Sequence, residues 1–211
     1  MKKIGRFHIL TDMCIQNRFS HTELAAMALA GGADTVQFRS KSGLTRELID
    51  SAAQIKCLCE EAGVPLIIND RIDIALAVNA DGVHLGQDDF PIPLARKLLG
   101  PGAIIGGSAG DLEEAQKCFA DGADYIGAGP VYVTNSKSDA GEAIGVKNIG
   151  LIAAKIPLPV IAIGGITDIN LRGLLNVNVH GVAVISAVCL SKDPKEAARR
   201  FRIQLDGYGQ K

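Results

Sequence analysis

Eight short apolar runs, separated by segments with helical spacing, constrain this chain more than any other feature. The runs are FHILTD (7–12), DTVQFR (34–39), PLIIND (65–70), GVHLGQ (82–87), AIIGGS (103–108), YIGAGP (125–130), PVIAIGGI (159–166) and GVAVISAV (181–188). Between them lie patterns such as HTELAAMALAGG, LTRELIDSAAQIKCLCEEAG, DLEEAQKCFADGAD and DPKEAARRFRIQL, several with Gly near the end, where helices commonly stop. Strands that alternate with helices pair in parallel, since each crossover helix returns the chain to run in the same direction. GGADTV, NADGVH, ADGADY and NVHGVA put Gly or a short polar turn just before a strand and so mark the joints from helix to strand. Eight such units use up the 211 residues, which predicts one domain over 1–211.

A chain of this pattern can close as a barrel or spread as a doubly wound sheet. The glycines that end the seventh run and open the eighth favour an α/β fold of the TIM (β/α)8 barrel type, where loops after the last two strands commonly hold phosphate. No GxGxxG or GxxxxGK[ST] follows the first run to support a nucleotide-binding sheet.

Composition narrows the function. A hydrophobic fraction of 47% allows a large core, and no apolar stretch approaches the ~20 residues of a membrane helix. The N-terminal MKKIGRFHILTDM has too short an apolar run for a secretory signal, so a cytoplasmic protein is expected. A net charge of −1 and 4% aromatics give no general pull toward nucleic acid or acidic membranes, so any anion must be held by local devices. Cys14, Cys57, Cys59, Cys118 and Cys189 form no CxxC pair and read as reduced core residues. A homo-oligomer is compatible with the sequence but not required by it.

Candidate chemistry gathers at the C-terminal ends of the runs. Strand alternation puts Gln37, Arg39 and Lys41 on one face, with Val36 and Phe38 on the other. Polar side chains aimed into a barrel are costly unless they meet a ligand near its mouth, although Arg39 and Lys41 could instead pair with core carboxylates. Asn69-Asp70 and Asp88-Asp89 bring carboxylates to the same rim, as Mg²⁺ prefers; alternatively, Asp70 caps the next helix. VYVTNSKSDAGEAIGVK is long for a barrel connection and reads as a lid, with Thr134, Ser136 and Lys137 supplying two hydroxyls and a cation. Gly164-Gly165 and the segment Ile185-Ser186 suit a phosphate, and Ser108 faces the same mouth. His8 and His84 could face the interior, His21 and His180 look like surface or turn residues, and none is assigned a catalytic role.

Taken together, QFRSK, IND, HLGQDD, ADYIGAGPVYVTNSK, AIGGI and GVAVISA resemble, in order and spacing, the motifs of the thiamine-phosphate synthase family, over residues from about 7 to 190. The resemblance implies a transferase of thiamine biosynthesis. It would join 4-amino-5-hydroxymethyl-2-methylpyrimidine diphosphate to a thiazole phosphate, or to its carboxylated precursor, releasing pyrophosphate through a pyrimidine cation. It further implies that Gln37, Arg39, Lys41, Asn69, Ser108 and Lys137 hold the pyrimidine diphosphate, with Arg39, Lys41 and Lys137 catalytic. Asp70 and Asp89 would bind Mg²⁺, and Thr134, Ser136, Gly165, Ile185 and Ser186 the thiazole phosphate.

Four positions depart from the family pattern. Ser40 replaces a usual acid, but alternation turns it from the substrate face; Val133 and Ser136 stand where the lid usually has Pro and Thr. Arg71 follows the intact Asn69-Asp70, and Gly110 stands where a His often follows Ser108. Gly110 bears on the first rival reading, a thiazole tautomerase, which would use that His and need neither the diphosphate cluster nor a metal. A non-catalytic, phosphate-binding regulatory barrel is the second.

Overall fold

A computed structural model describes residues 3–136 and 141–208. Strands β1 (Phe7–Thr11), β2 (Thr35–Phe38), β3 (Leu66–Asn69), β4 (Gly82–Leu85), β5 (Ile104–Ala109), β6 (Tyr125–Ala128), β7 (Val160–Ile163) and β8 (Gly181–Val184) form one closed parallel barrel. Each strand pairs with its sequence neighbours, and β8 closes on β1 through Phe7 opposite Val182. The barrel, and not the doubly wound sheet, is therefore the fold. The first seven strands lead into α1 (His21–Ala30), α2 (Thr45–Glu61), α3 (Ile72–Ala77), α4 (Ile92–Leu99), α5 (Leu112–Ala120), α6 (Gly145–Lys155) and α7 (Leu171–Leu175). After β8 come α8 (Ser186–Cys189) and α9 (Pro194–Tyr208). Among the described residues no helix is long and apolar enough to cross a membrane.

Strand alternation sorts the core into two layers. Val36, Phe38, Leu66, Ile68, Val83 and Leu85 lie in the larger one, between barrel and helices, while Leu10, Ile67, Ile104, Tyr125, Ile161 and Ala183 fill the barrel itself. Local signals set several helix starts. Ser20 caps α1 in a reciprocal box with Glu23, each side chain taking the other's backbone N–H.

The rim at the N-terminal ends of the strands is fastened by one repeated device. Asp34, Asp81 and Asp124 sit at the joints just before β2, β4 and β6. Their carboxylates accept the backbone N–H of Phe7, Leu66 and Ile105 at 2.6, 2.9 and 2.7 Å. Each also pairs with a cation from the outer ring: Arg202 of α9 at 2.9 Å, Lys56 of α2 at 3.0 Å and Arg96 of α4 at 2.6 Å. At the joint before β8 stands His180, whose backbone oxygen accepts from Arg6 Nε at 3.2 Å.

Several expectations need correction. The eighth run is not one strand: its ladders end at Ala183 with β7 and at Val184 with β1, and the backbone leaves the extended conformation at Ile185, with ψ of −82°, before α8 begins at Ser186. The seventh ends at Ile163, because Gly164 and Gly165 take positive φ of 99° and 65°. His21 is buried at the start of α1, bonded to Thr11 Oγ1 at 2.9 Å and packed edge-on against Phe38. Cys14 and Cys57 are exposed, so only Cys59, Cys118 and Cys189 are core residues.

Candidate active site

A cavity of about 420 Å³ opens at the C-terminal mouth of the barrel, and strand ends and βα loops build its wall. From β2, Val36 and Phe38 face the helices, so Gln37 and Arg39 turn inward as alternation predicts. Gln37 lies deeper than the cavity wall, bonded to the Tyr125 hydroxyl, with its amide oxygen buried and unpartnered. Arg39 reaches the wall while only 4% exposed, and its Nη1 is ion-paired with Asp12, which is wholly buried. The other Asp12 oxygen accepts Cys14 N–H at 2.8 Å. For Arg39, the pairing with a core carboxylate is thus what the fold provides.

Lys41 belongs to the loop after β2, not to the strand, because β2 stops at Phe38. Its side chain is 44% exposed at the rim and donates to Asp70 Oδ2 at 2.7 Å. Asp70 does not cap α3, whose N-cap is Arg71 without a side-chain bond. Instead Asp70 holds a left-handed φ of 61°, uncommon outside Gly, with its carboxyl set beside that of Asp89. Burial first, and then the neighbouring Asp89, push the Asp70 carboxyl above the usual carboxylate range, against the pull of Lys41. Asp89 Oδ2 in turn accepts Gly86 N–H at 2.7 Å, which fixes the turn carrying Gln87 and Asp88. Two acids pressed together in a half-buried site form an arrangement that a divalent cation relieves, and Mg²⁺ needs no more than one or two carboxylates from a protein.

Asn69 and Ser108 line the same wall from β3 and β5. Opposite them, Gly165, Ile185 and Ser186 form the far side, with Thr134 and Ser136 at its edge, where Ser136 N–H donates to Thr134 Oγ1 at 3.2 Å. The Gly164-Gly165 turn is held from both sides: Tyr132 N–H, in the loop after β6, donates to Gly164 O at 3.1 Å, and Asn170 Nδ2, at the start of α7, to Gly165 O at 3.0 Å. Val133, the lid departure, is 85% exposed and makes no part of the wall. Lys137 lies outside the described residues. Ser40 bonds to Ser42 O and stays off the cavity, as alternation predicts.

Sequence reasoning missed Asp12 and His84. Asp12 ends the first run on the same rim as Asp70 and Asp89, so the rule that singled out those two applied to it equally. His84 faces the interior, with Nε2 2.9 Å from Ser108 Oγ and Nδ1 2.9 Å from Tyr125 Oη. The sequence offers no signal for this partnership, which joins three different strands.

Comparison with known proteins finds relatives over nearly the whole chain. The family model described as thiamine monophosphate synthase matches residues 8–188. Thiamine-phosphate synthase of Salinibacter ruber is 49% identical over 206 residues, covering 98% of this chain and 91% of that protein. The enzyme of the same name from Chloroflexus aurantiacus is 44% identical over 197 residues, covering 93% and 91%. A solved structure of thiamine phosphate pyrophosphorylase from Pyrococcus furiosus superposes with a TM-score of 0.89 at 38% identity over 96% of both chains. The match of the family model over most of the chain, together with relatives at 49% and 44% identity that cover more than nine-tenths of it, shows that this chain belongs to the thiamine monophosphate synthase family.

Proposed function

We propose that the chain condenses the aminopyrimidine diphosphate with the thiazole phosphate, releasing pyrophosphate and forming thiamine phosphate. The observation that carries this reading is that one mouth gathers two unlike groups of residues on opposite sides, each suited to an anion. On one side stand Lys41, Asp70, Asp89 and Arg39, and on the other the glycine turn after β7 and the segment Ile185-Ser186. A tautomerase acting on the thiazole alone needs no first site, and position 110 is Gly, without a group to move a proton.

Bound at Asp70 and Asp89, Mg²⁺ would supply positive charge to the diphosphate oxygens. Lys41, paired with Asp70, sits beside that place and would add a further cation to the same oxygens. Arg39 is already neutralised by Asp12, so its free N–H groups serve to orient the substrate more than to add net charge. Loss of pyrophosphate leaves a pyrimidine cation, and the wall of the mouth, closed around both substrates, would shield it from water until the thiazole nitrogen attacks. Thiazole phosphate held against Gly165 and Ser186 would present that nitrogen across the cavity, so little covalent work remains for side chains.

Purified protein with both substrates and Mg²⁺ is expected to form thiamine phosphate and pyrophosphate in equal amounts, to stop on chelation, and to recover when Mg²⁺ is restored. No product above the uncatalysed level sinks the synthase reading; turnover unaffected by EDTA removes Asp70 and Asp89 from the metal role. Gly165→Ala is expected to raise the KM for thiazole phosphate about tenfold or more, with the diphosphate KM little changed. An added Cβ would come within 2.7 Å of Tyr132 Cβ and Val133 O at a φ of 65°, so the turn must move. The left-handed conformation alone costs a non-Gly residue roughly 1–2 kcal/mol.

A further inference from the structure

Beneath Ser108 the barrel interior holds a hydrogen-bonded chain that the reaction scheme above does not use. Ser108 Oγ meets His84 Nε2 at 2.9 Å, His84 Nδ1 meets Tyr125 Oη at 2.9 Å, and Tyr125 is bonded in turn to the Gln37 side chain. Of these four, only Ser108 lines the cavity. The strands give up two inward positions to seat the chain. A Cβ at Gly127 of β6 would come within 2.7 Å of His84 Cε1, and one at Gly106 of β5 would overlap the Tyr125 ring. Space cleared by two glycines for two polar rings marks a built arrangement rather than a chance contact.

The direction of the hydrogen bonds follows from counting donors. Gln37 Oε1 is buried and accepts nothing, so the Gln37 amide N–H is what reaches the Tyr125 oxygen. Burial pushes the phenol up, which keeps its single hydrogen in place. With Gln37 Oε1 not accepting, that hydrogen has His84 Nδ1 as its acceptor, since a buried hydroxyl left without one is costly. A ring nitrogen that accepts carries no proton, so the imidazole proton sits on Nε2 and is donated to Ser108 Oγ.

We infer that Tyr125 and Gln37 lock His84 in the Nε2–H tautomer, so that the Ser108 hydroxyl is left to donate its hydrogen to an acceptor atom of the substrate. His84 and Tyr125 are then positioning residues, and Ser108 is the group that touches substrate. Resting on the synthase reading, the inference also selects the acceptor. A donor aimed at the pyrimidine ring would draw electrons from a forming cation, whereas one aimed at a leaving diphosphate oxygen gains strength as charge grows there. The effect of the chain therefore falls on kcat rather than on KM.

Two measurements test it. In protein labelled with ¹⁵N-histidine, long-range ¹H–¹⁵N correlations are expected to show His84 with a protonated Nε2 and a bare Nδ1; the opposite tautomer, or a doubly protonated ring, overturns the inference. This spectrum is taken on the free protein, so it fails or succeeds independently of whether thiamine phosphate is made. Tyr125→Phe keeps the ring and removes the lock. It is expected to lower kcat roughly tenfold, the worth of one hydrogen bond, with the diphosphate KM within about twofold. Combined with Ser108→Ala, it should cause no further loss beyond Ser108→Ala alone. Losses that multiply in full show that Tyr125 acts elsewhere and overturn the chain.

Discussion

Asp12→Ala is expected to destabilise the protein by about 3–5 kcal/mol, the range found when one partner of a buried ion pair is removed. Asp12 is wholly buried and Arg39 is 4% exposed, with Arg39 Nε already lacking a partner. A guanidinium cannot shed its proton, so the variant must either hold an unpaired buried cation or let the β1–α1 loop open to water. Against a total of roughly 5–15 kcal/mol for a domain, that loss is large. Denaturant titration followed by circular dichroism measures it, and an unchanged midpoint would show that Arg39 finds another partner. Replacing both residues by apolar ones, Asp12→Leu with Arg39→Met, is expected to restore most of the stability while activity stays lost. That contrast separates what the pair does for the fold from what Arg39 does at the mouth.

Asp89→Asn is expected to cut turnover on the order of a hundredfold or more, as removal of a group stabilising growing charge usually does. The amide keeps an oxygen for Gly86 N–H, so the turn should survive and only the charge is lost. Stability should move in the opposite sense to activity. In the metal-free protein Asp70 faces Asp89 at a cost, and removing one charge relieves it. The variant should therefore melt no lower than the parent without Mg²⁺, yet lose the rise in melting temperature that Mg²⁺ gives the parent. Equal stabilisation by Mg²⁺ in both proteins would place the cation elsewhere.

Much of this was legible in the chain because the barrel is built from strict alternation. The inward turn of Gln37 and Arg39 follows from Val36 and Phe38 being apolar, and the rim position of Asp70 from its place at a strand end. What escaped reading depends on partners distant in sequence. Asp12 looked like the tail of an apolar run, and only its meeting with Arg39, just past the end of the adjacent strand, gives it a role. His21 resembles any polar residue at a helix start; its burial comes with the edge-on packing against Phe38. Ser186 sits in a run that is apolar enough for a strand, but the backbone leaves the extended conformation at Ile185, whose ψ is −82°, and apolar character alone does not signal that turn. The wall that receives Gly165, Ile185 and Ser186 was nonetheless found, since glycines mark it whichever element follows.

The three aspartate fastenings at the far rim share a pattern that concerns the ends of the chain. Asp81 ties β3 to Lys56 of α2, and Asp124 ties β5 to Arg96 of α4; in each case the cation comes from the helix that leads into the fastened strand. Asp34 ties β1 to Arg202 of α9 in the same way, although no peptide bond joins α9 to β1. The last helix stands to the first strand as α2 stands to β3, so the ring treats its covalent gap as one more joint. A permuted chain, joined across that gap and opened at another joint, would keep every fastening and meet the same barrel.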